Sequence, residues 1–339
     1  MQDTLVSQCS AVSIAVALAR RAALVLALLV TQPTWANPGM ESVRALRLQG
    51  DLAAAQRLAE STLRDTNLSP SSIVLAHLEL ARIEDRRGLH YRKRPVPAAW
   101  AHLQAATVAL PDGNQDLAAQ LMMGKADYYY RAEMVERQFA QTSVFAQRAA
   151  DAFEALGDWH GQADAVHKQG LIALQQRELV VAQRLFDQSL ALDERAGQRD
   201  FLVAEYERHT AFVKLFSGDR QAAIPHLVRS LALRRRVGAI DPSLFAALTL
   251  AGTLLDVGEP ERAQAPLLYA QTVASKLDSP FARANLGWQL GRYYHATQQW
   301  DAARIAWEGA IKAGQEIAFQ SLLERTRAQL ALLPAGPVD

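Results

Sequence analysis

At 339 residues, 50% of them apolar and 21% charged, with a formal net charge of +1, the chain has the composition of a folded protein, sized for one or two globular domains or one elongated repeat array. Wholesale disorder is excluded, and so is a whole-molecule field that would draw the chain to nucleic acid or an anionic membrane. The apolar share is rich in Ala and Leu with few Ile and Thr, side chains that lose little freedom in a helix.

Residues 1–36 read as a signal peptide. Arg20 and Arg21 precede a short apolar core from Ala22 to Val30, a polar break follows at Thr31-Gln32-Pro33, and Thr34 and Ala36 are placed for cleavage after Ala36. The core is too short to span a bilayer; the alternative is retention as an anchor. Cleavage would remove Cys9, the only cysteine, which suits an oxidising compartment. The expectation is an exported, periplasmic protein with no membrane span after cleavage.

From 37 to 157 the helical pattern is present with irregular spacing. Gly50-Asp51 followed by Ala55 marks a turn and a helix start, and a helix pair falls around Leu117 to Leu156. The stretch from Arg86 to Pro97 reads as a long loop. It holds the one local basic run, His90-Tyr91-Arg92-Lys93-Arg94, read as a solvated loop. Tyr128-Tyr129-Tyr130 runs around a helix, so at least one ring faces outward.

From 158 to 314 the spacing becomes regular. Ala182, Ala223, Ala263 and Ala303 are separated by 41, 40 and 40 residues. Four residues beyond each stands a large apolar side chain (Phe186, Leu227, Leu267, Trp307), and three further on a small one (Ser189, Ser230, Ala270, Ala310). Small, large and small at i, i+4 and i+7 share one helix face, where small residues admit a neighbouring helix and the large one fills the gap beside it. Another apolar-periodic stretch precedes each of these helices, so the unit is helix, turn, helix, turn. Gly157, Gly197, Gly238 and Gly314 are placed to end helices, and Asp51, Asp158 and Asp219 to begin them. Arg234-Arg235-Arg236 falls in a last turn, where it offsets the helix dipole. Pro225 and Pro266 fall near the starts of second helices, where each removes a donor. A last helix, about Gln315 to Leu333, is expected to cap the array, with the tail to 339 frayed.

The segment Leu286 to Ile311 resembles a tetratricopeptide repeat. Leu290, Gly291 and Tyr294 match the Leu-Gly-x-x-Tyr of its first helix, and Ala303, Trp307 and Ala310 match the positions of its second. The Leu-Gly pair is absent near Thr210-Ala211 and only approximated at Leu250-Ala251. The resemblance and the period together imply an all-α, right-handed superhelical solenoid of antiparallel helix pairs, about seven pairs plus a C-terminal capping helix. The resemblance further implies that first helices line a concave groove. Counted from the Leu-Gly match, the groove positions are Asn285, Trp288, Arg292 and His295, with Arg208, Phe212 and His167 from earlier units. An exposed Trp288 beside Arg292 is the favoured binding feature, since Trp and Arg dominate binding hot spots; the bland alternative is that Trp288 packs between repeats.

No catalytic motif stands out: there is no His-Glu-x-x-His or Gly-x-Ser-x-Gly, and Gly124-Lys125 lacks the upstream glycine of a phosphate loop. His160 and His167 could form half a metal site, but no further ligand stands in register, so neither a metal nor a cofactor is expected. The function expected is a non-catalytic scaffold of the cell envelope holding a peptide or protein partner. The alternative is a sensory or substrate-recruiting module for a separate signalling enzyme or membrane complex.

Overall fold

The computed structural model describes residues 38–93 and 96–334, so the expected signal peptide and the tail from 335 lie outside the described residues. The described chain is all-α, with fifteen helices. In order they are α1 (Pro38–Leu48), α2 (Leu52–Leu63), α3 (Pro70–Tyr91), α4 (Pro97–Ala109), α5 (Gln115–Ala132), α6 (Ala140–Leu156), α7 (Trp159–Gln175) and α8 (Leu179–Arg195). They continue with α9 (Asp200–Phe216), α10 (Arg220–Arg236), α11 (Ile240–Asp256), α12 (Pro260–Ala274), α13 (Pro280–Ala296), α14 (Trp300–Glu316) and α15 (Gln320–Leu330). Consecutive helices pack as seven hairpins, from α1·α2 to α13·α14, and α15 closes the end against α14.

The periodic small residues sit where the helices of a hairpin touch. Ala182, Ala223, Ala263 and Ala303 have no exposed surface, and Phe186, Leu227, Leu267 and Trp307 are buried beside them. Ser189 Oγ donates to the Ala163 carbonyl at 2.8 Å and Ser230 Oγ to the Ala204 carbonyl at 2.7 Å, each reaching from the second helix to the first. A hydroxyl in place of a larger side chain thus permits close approach and satisfies its own polarity. Glycine plays the reciprocal part on the first helix: a Cβ on Gly170 would stand 2.6 Å from the Phe186 ring, and one on Gly291 would stand 2.2 Å from the Trp307 ring.

The helix starts behave as expected, with Asp51, Asp158 and Asp219 each accepting a backbone N–H three residues on, at 2.9 to 3.0 Å. Gly157, Gly197 and Gly238 adopt positive φ. Gly314 does not: it lies inside α14, which runs on to Glu316, and Ala318 takes the left-handed conformation instead. Its missing side chain serves packing, since a Cβ there would meet Leu322 and Leu323 of α15 at 3.1 to 3.2 Å. Pro225 and Pro266 lie inside α10 and α12, which continue past them.

The stretch expected as a loop from Arg86 is helical through Tyr91, and its basic run is not simply solvated. His90 is buried; its Nδ1 pairs with Ser279 Oγ at 2.7 Å and its Nε2 faces Asp241 at 3.2 Å. Tyr91 donates to Asp278 at 2.6 Å, and Arg92 lies 3.9 Å over the Phe319 ring. Arg86 pairs with Asp241 at 2.9 Å. The first two hairpins therefore meet the last two, α1 against α11 and α3 against α13. At that seam a Cβ on Gly50 would stand 2.6 Å from Leu277. The solenoid bends until its ends touch, and the groove becomes a lumen.

Candidate functional site

The lumen is a cavity of about 990 Å³ whose wall draws on the first helix of every hairpin: α1, α3, α5, α7, α9, α11 and α13. First helices face inward because each presents two stripes, one packed on its partner and one turned to the axis of the stack. Phe201 and Phe216, at opposite ends of α9, both line the cavity and are both exposed, so solvent reaches it.

Four of the expected groove residues, Asn285, Arg208, Phe212 and His167, line this cavity; Trp288, Arg292 and His295 do not. Trp288 is half-buried in the C-terminal core, 6.4 Å from the Trp307 ring and under the guanidinium of Arg325 at 4.6 Å. Arg292 lies 6.0 Å from the Trp288 ring. Arg292 pairs with Asp256 and bonds Gln289 at 3.0 Å. The His295 ring packs on Trp300 and Trp307. Asn285 is anchored by an Nδ2 donation to the Phe281 carbonyl at 2.8 Å.

The wall is strongly charged: nine Arg and Lys side chains line it against four carboxylates. At the α1–α3 wall Arg44, Arg47 and Arg82 approach the buried Glu79 at 3.8, 3.0 and 2.5 Å. Burial alone would raise the Glu79 carboxyl, but these guanidiniums hold it at about 2. Lys168 pairs with Asp127 at 2.7 Å, and Arg234 with Glu205 at 2.6 Å. Arg234 lies in the last turn of α10, as expected, and is buried, reaching across to α9.

Of the two histidines weighed and set aside as half a metal site, His160 turns to Asp193 at 2.9 Å. His167 instead meets His209, Nε2 to Nδ1 at 2.9 Å, and with Glu205 they form a group whose ligand-type atoms lie within 4.8 Å of one another. The hydrogen-bond direction decides what this group does. Arg208 Nη1 has only protons to offer and stands 3.3 Å from His209 Nε2, so that nitrogen accepts and the His209 proton resides on Nδ1. His209 then donates to His167 Nε2, which leaves the His167 proton on Nδ1, a buried donor without an acceptor. The lone pair a cation would need on His209 Nδ1 is therefore occupied. Burial pushes both imidazoles down, His167 to about 4, with Arg208, Arg234 and Lys168 adding to it. A cation is opposed by the surrounding charge; an acceptor is not.

Arg208 itself is desolvated. Burial first, then Arg234, lowers its guanidinium to about 10, its Nε has no partner, and it lies 4.8 Å from the Phe212 ring. Sequence spacing marked Arg208 and His167 separately, but nothing in it joined them to His209 or to the arginines of α1 and α3.

No family model matches the chain and no curated protein matches it in sequence. Solved structures match in shape. A Rap protein complexed with Competence and Sporulation Factor is similar at a TM-score of 0.52 and 11% identity, over 86% of this chain and 95% of that one. Aspartyl phosphate phosphatase F from Bacillus subtilis is similar at 0.52 and 10%, over 91% and 98%. A Signal Transduction ATPase with Numerous Domains protein with a tetratricopeptide repeat sensor, from Pyrococcus horikoshii, is similar at 0.52 and 12%, over 83% of this chain and 43% of that one. These likenesses concern the fold, which is a tetratricopeptide-like solenoid.

Proposed function

Within this tetratricopeptide-like solenoid, we propose that the chain is a non-catalytic binding scaffold that takes a peptide segment of a protein partner into its lumen. The observation that carries the reading is the lumen itself: about 990 Å³, walled by one helix from each of seven hairpins, at the upper end of the range of about 300–1,000 Å³ typical of ligand pockets. That volume suits a short segment or a small ligand and not a folded domain. A structure of the same fold carries a separate factor in its complex, which lends support by analogy of shape alone. We further place the protein outside the cytoplasm, cleaved after Ala36. N-terminal sequencing of the mature protein should begin at Asn37, and a retained Met1 would refute that placement.

Site-specific photocrosslinking in cells tests the binding reading. A photoreactive residue at Phe245, on the lumen wall, should give a defined adduct, whereas one at Val180, which is 86% exposed on the outer surface, should not. Adducts of equal yield at both positions would reject the lumen as the binding site. The alternative, a sensory module for a separate signalling enzyme, is favoured by the likeness to a protein with a tetratricopeptide repeat sensor. It requires the Phe245 adduct to be a single signalling protein.

A further inference from the structure

The charges of the lumen can be paired off almost completely. Arg199 lies on Asp193 at 2.5 Å and on Asp164 at 2.8 Å, Lys168 on Asp127, Arg131 on Asp85, Arg86 on Asp241 and Arg234 on Glu205. Two places are left over. Arg208 has no carboxylate within ion-pair distance among the described residues, because Glu205, its nearest acidic neighbour, is engaged by Arg234. At the α1–α3 wall three guanidiniums share Glu79, and Glu41, 3.9 Å from Arg44, relieves only one of them. Arg44, Arg47 and Arg82 together therefore carry one charge more than Glu79 and Glu41 supply, with Asp127 and Asp164 acting on Arg82 from farther off. Arg86 is near enough to depress the guanidiniums of both Arg47 and Arg208, so the two centres belong to one field.

Cationic side chains left in excess inside a partly dry channel are costly unless a ligand supplies the missing anion. Apolar surface stands beside Arg208, where the Phe212 ring lies 4.8 Å off and the exposed Phe216 ring stacks on it. We infer that the lumen selects acidic peptides, with one carboxylate received by Arg208 on α9 and a second by Arg47 and Arg82 on the α1–α3 wall. This inference rests on the lumen-binding reading and names the chemistry of its ligand. Guanidinium is suited to the task because its planar fork meets both oxygens of a carboxylate.

The test uses the mature full chain and three fluorescently labelled mixtures of short degenerate peptides. They are identical except for Glu, Gln or Lys at two spaced positions, and each is made as free acid and as C-terminal amide. Fluorescence anisotropy should show the Glu mixture binding at least about tenfold tighter than the Gln mixture, with the preference shrinking as salt is raised. Arg208→Gln and Arg47→Gln should each lose about tenfold toward the Glu mixture and little toward Gln, their folding checked by circular dichroism. Arg325→Gln, on the Trp288 face away from the lumen, should bind like the parent. Amides that bind like the acids assign both carboxylates to side chains, while loss on amidation assigns one to the peptide terminus; either supports the inference. Equal binding of Glu and Gln mixtures would overturn the acidic preference and leave the scaffold standing. Failure of all three mixtures would remove the lumen reading itself. Tight zinc binding by the metal alone, abolished in Glu205→Gln, would show the histidine group to be a cation site and would also overturn the inference.

Discussion

His167 and His209 are neutral because burial, together with the cations around them, opposes a second proton on either ring. The ordinary histidine value is 6.5 and the folded value of His167 is about 4, so between these limits the unfolded chain binds a proton that the native chain refuses. Stability therefore rises with pH across that window and is lost as pH falls through it, by about 3 kcal/mol for a shift of this size. Denaturant titrations at pH 7 and pH 4.5 should show the loss, and His167→Gln should flatten it; an undiminished slope in that variant would place the proton uptake elsewhere. Trp288 makes a different case. Spacing put it on the inner stripe, but its ring rests against Trp307 and Arg325. Trp288→Ala should then cost about 2 kcal/mol of stability, the value for a half-buried aromatic. An unchanged urea midpoint would return the residue to the surface.

A hairpin of this solenoid holds together where a small residue meets a large one. Ala303 is fully buried on α14 and Gly291 on α13 lies under the Trp307 ring. Ala303→Leu inserts atoms where none fit and should destabilise by about 1–3 kcal/mol, read from the thermal midpoint by circular dichroism. No shift would mean the register of small residues does not mark helix contacts. This level of structure was legible in the sequence because it is local: Ala303, Trp307 and Ala310 lie within one helix, and the next copy repeats them after 40 residues. The lumen was not legible, for the same reason inverted. Its arginines come from α1, α3, α5, α9 and α10, and the bond between His90 and Ser279 spans 189 positions. Spacing within a repeat says which face of a helix is inner; it does not say how far the stack curves. His90, Tyr91 and Arg92 consequently read as part of a solvated loop when they belong to the seam.

At the scale of the whole molecule, that seam decides whether there is a groove or a lumen. Stacked hairpins touch only their neighbours, so the curvature of a solenoid is soft unless something joins distant units. Here Asp241 joins them, fully buried on α11 and held by Arg86 and His90 of α3. Arg86 and His90 keep the Asp241 carboxyl below its usual range although burial alone would raise it, so the seam is ionic at neutral pH. Asp241→Asn removes the charge at constant shape and leaves Arg86 without its partner. Losing one partner of a buried pair costs about 3–5 kcal/mol where the structure cannot relax. A ring can relax by opening, and the outcome should be expansion with every hairpin intact. Small-angle scattering should give a larger radius of gyration, with unchanged helical content. Hydrogen exchange should quicken at the contacts of α3 with α11 and α13 and not within the α7–α10 hairpins. A radius equal to the parent's would mean that apolar contacts such as Gly50 against Leu277 close the ring unaided. An open ring would also part Arg47 and Arg82 from Arg208, so the same substitution should weaken acidic-peptide capture even though it frees the charge of Arg86 in the lumen wall, linking the curvature of the solenoid to the charge of what it holds.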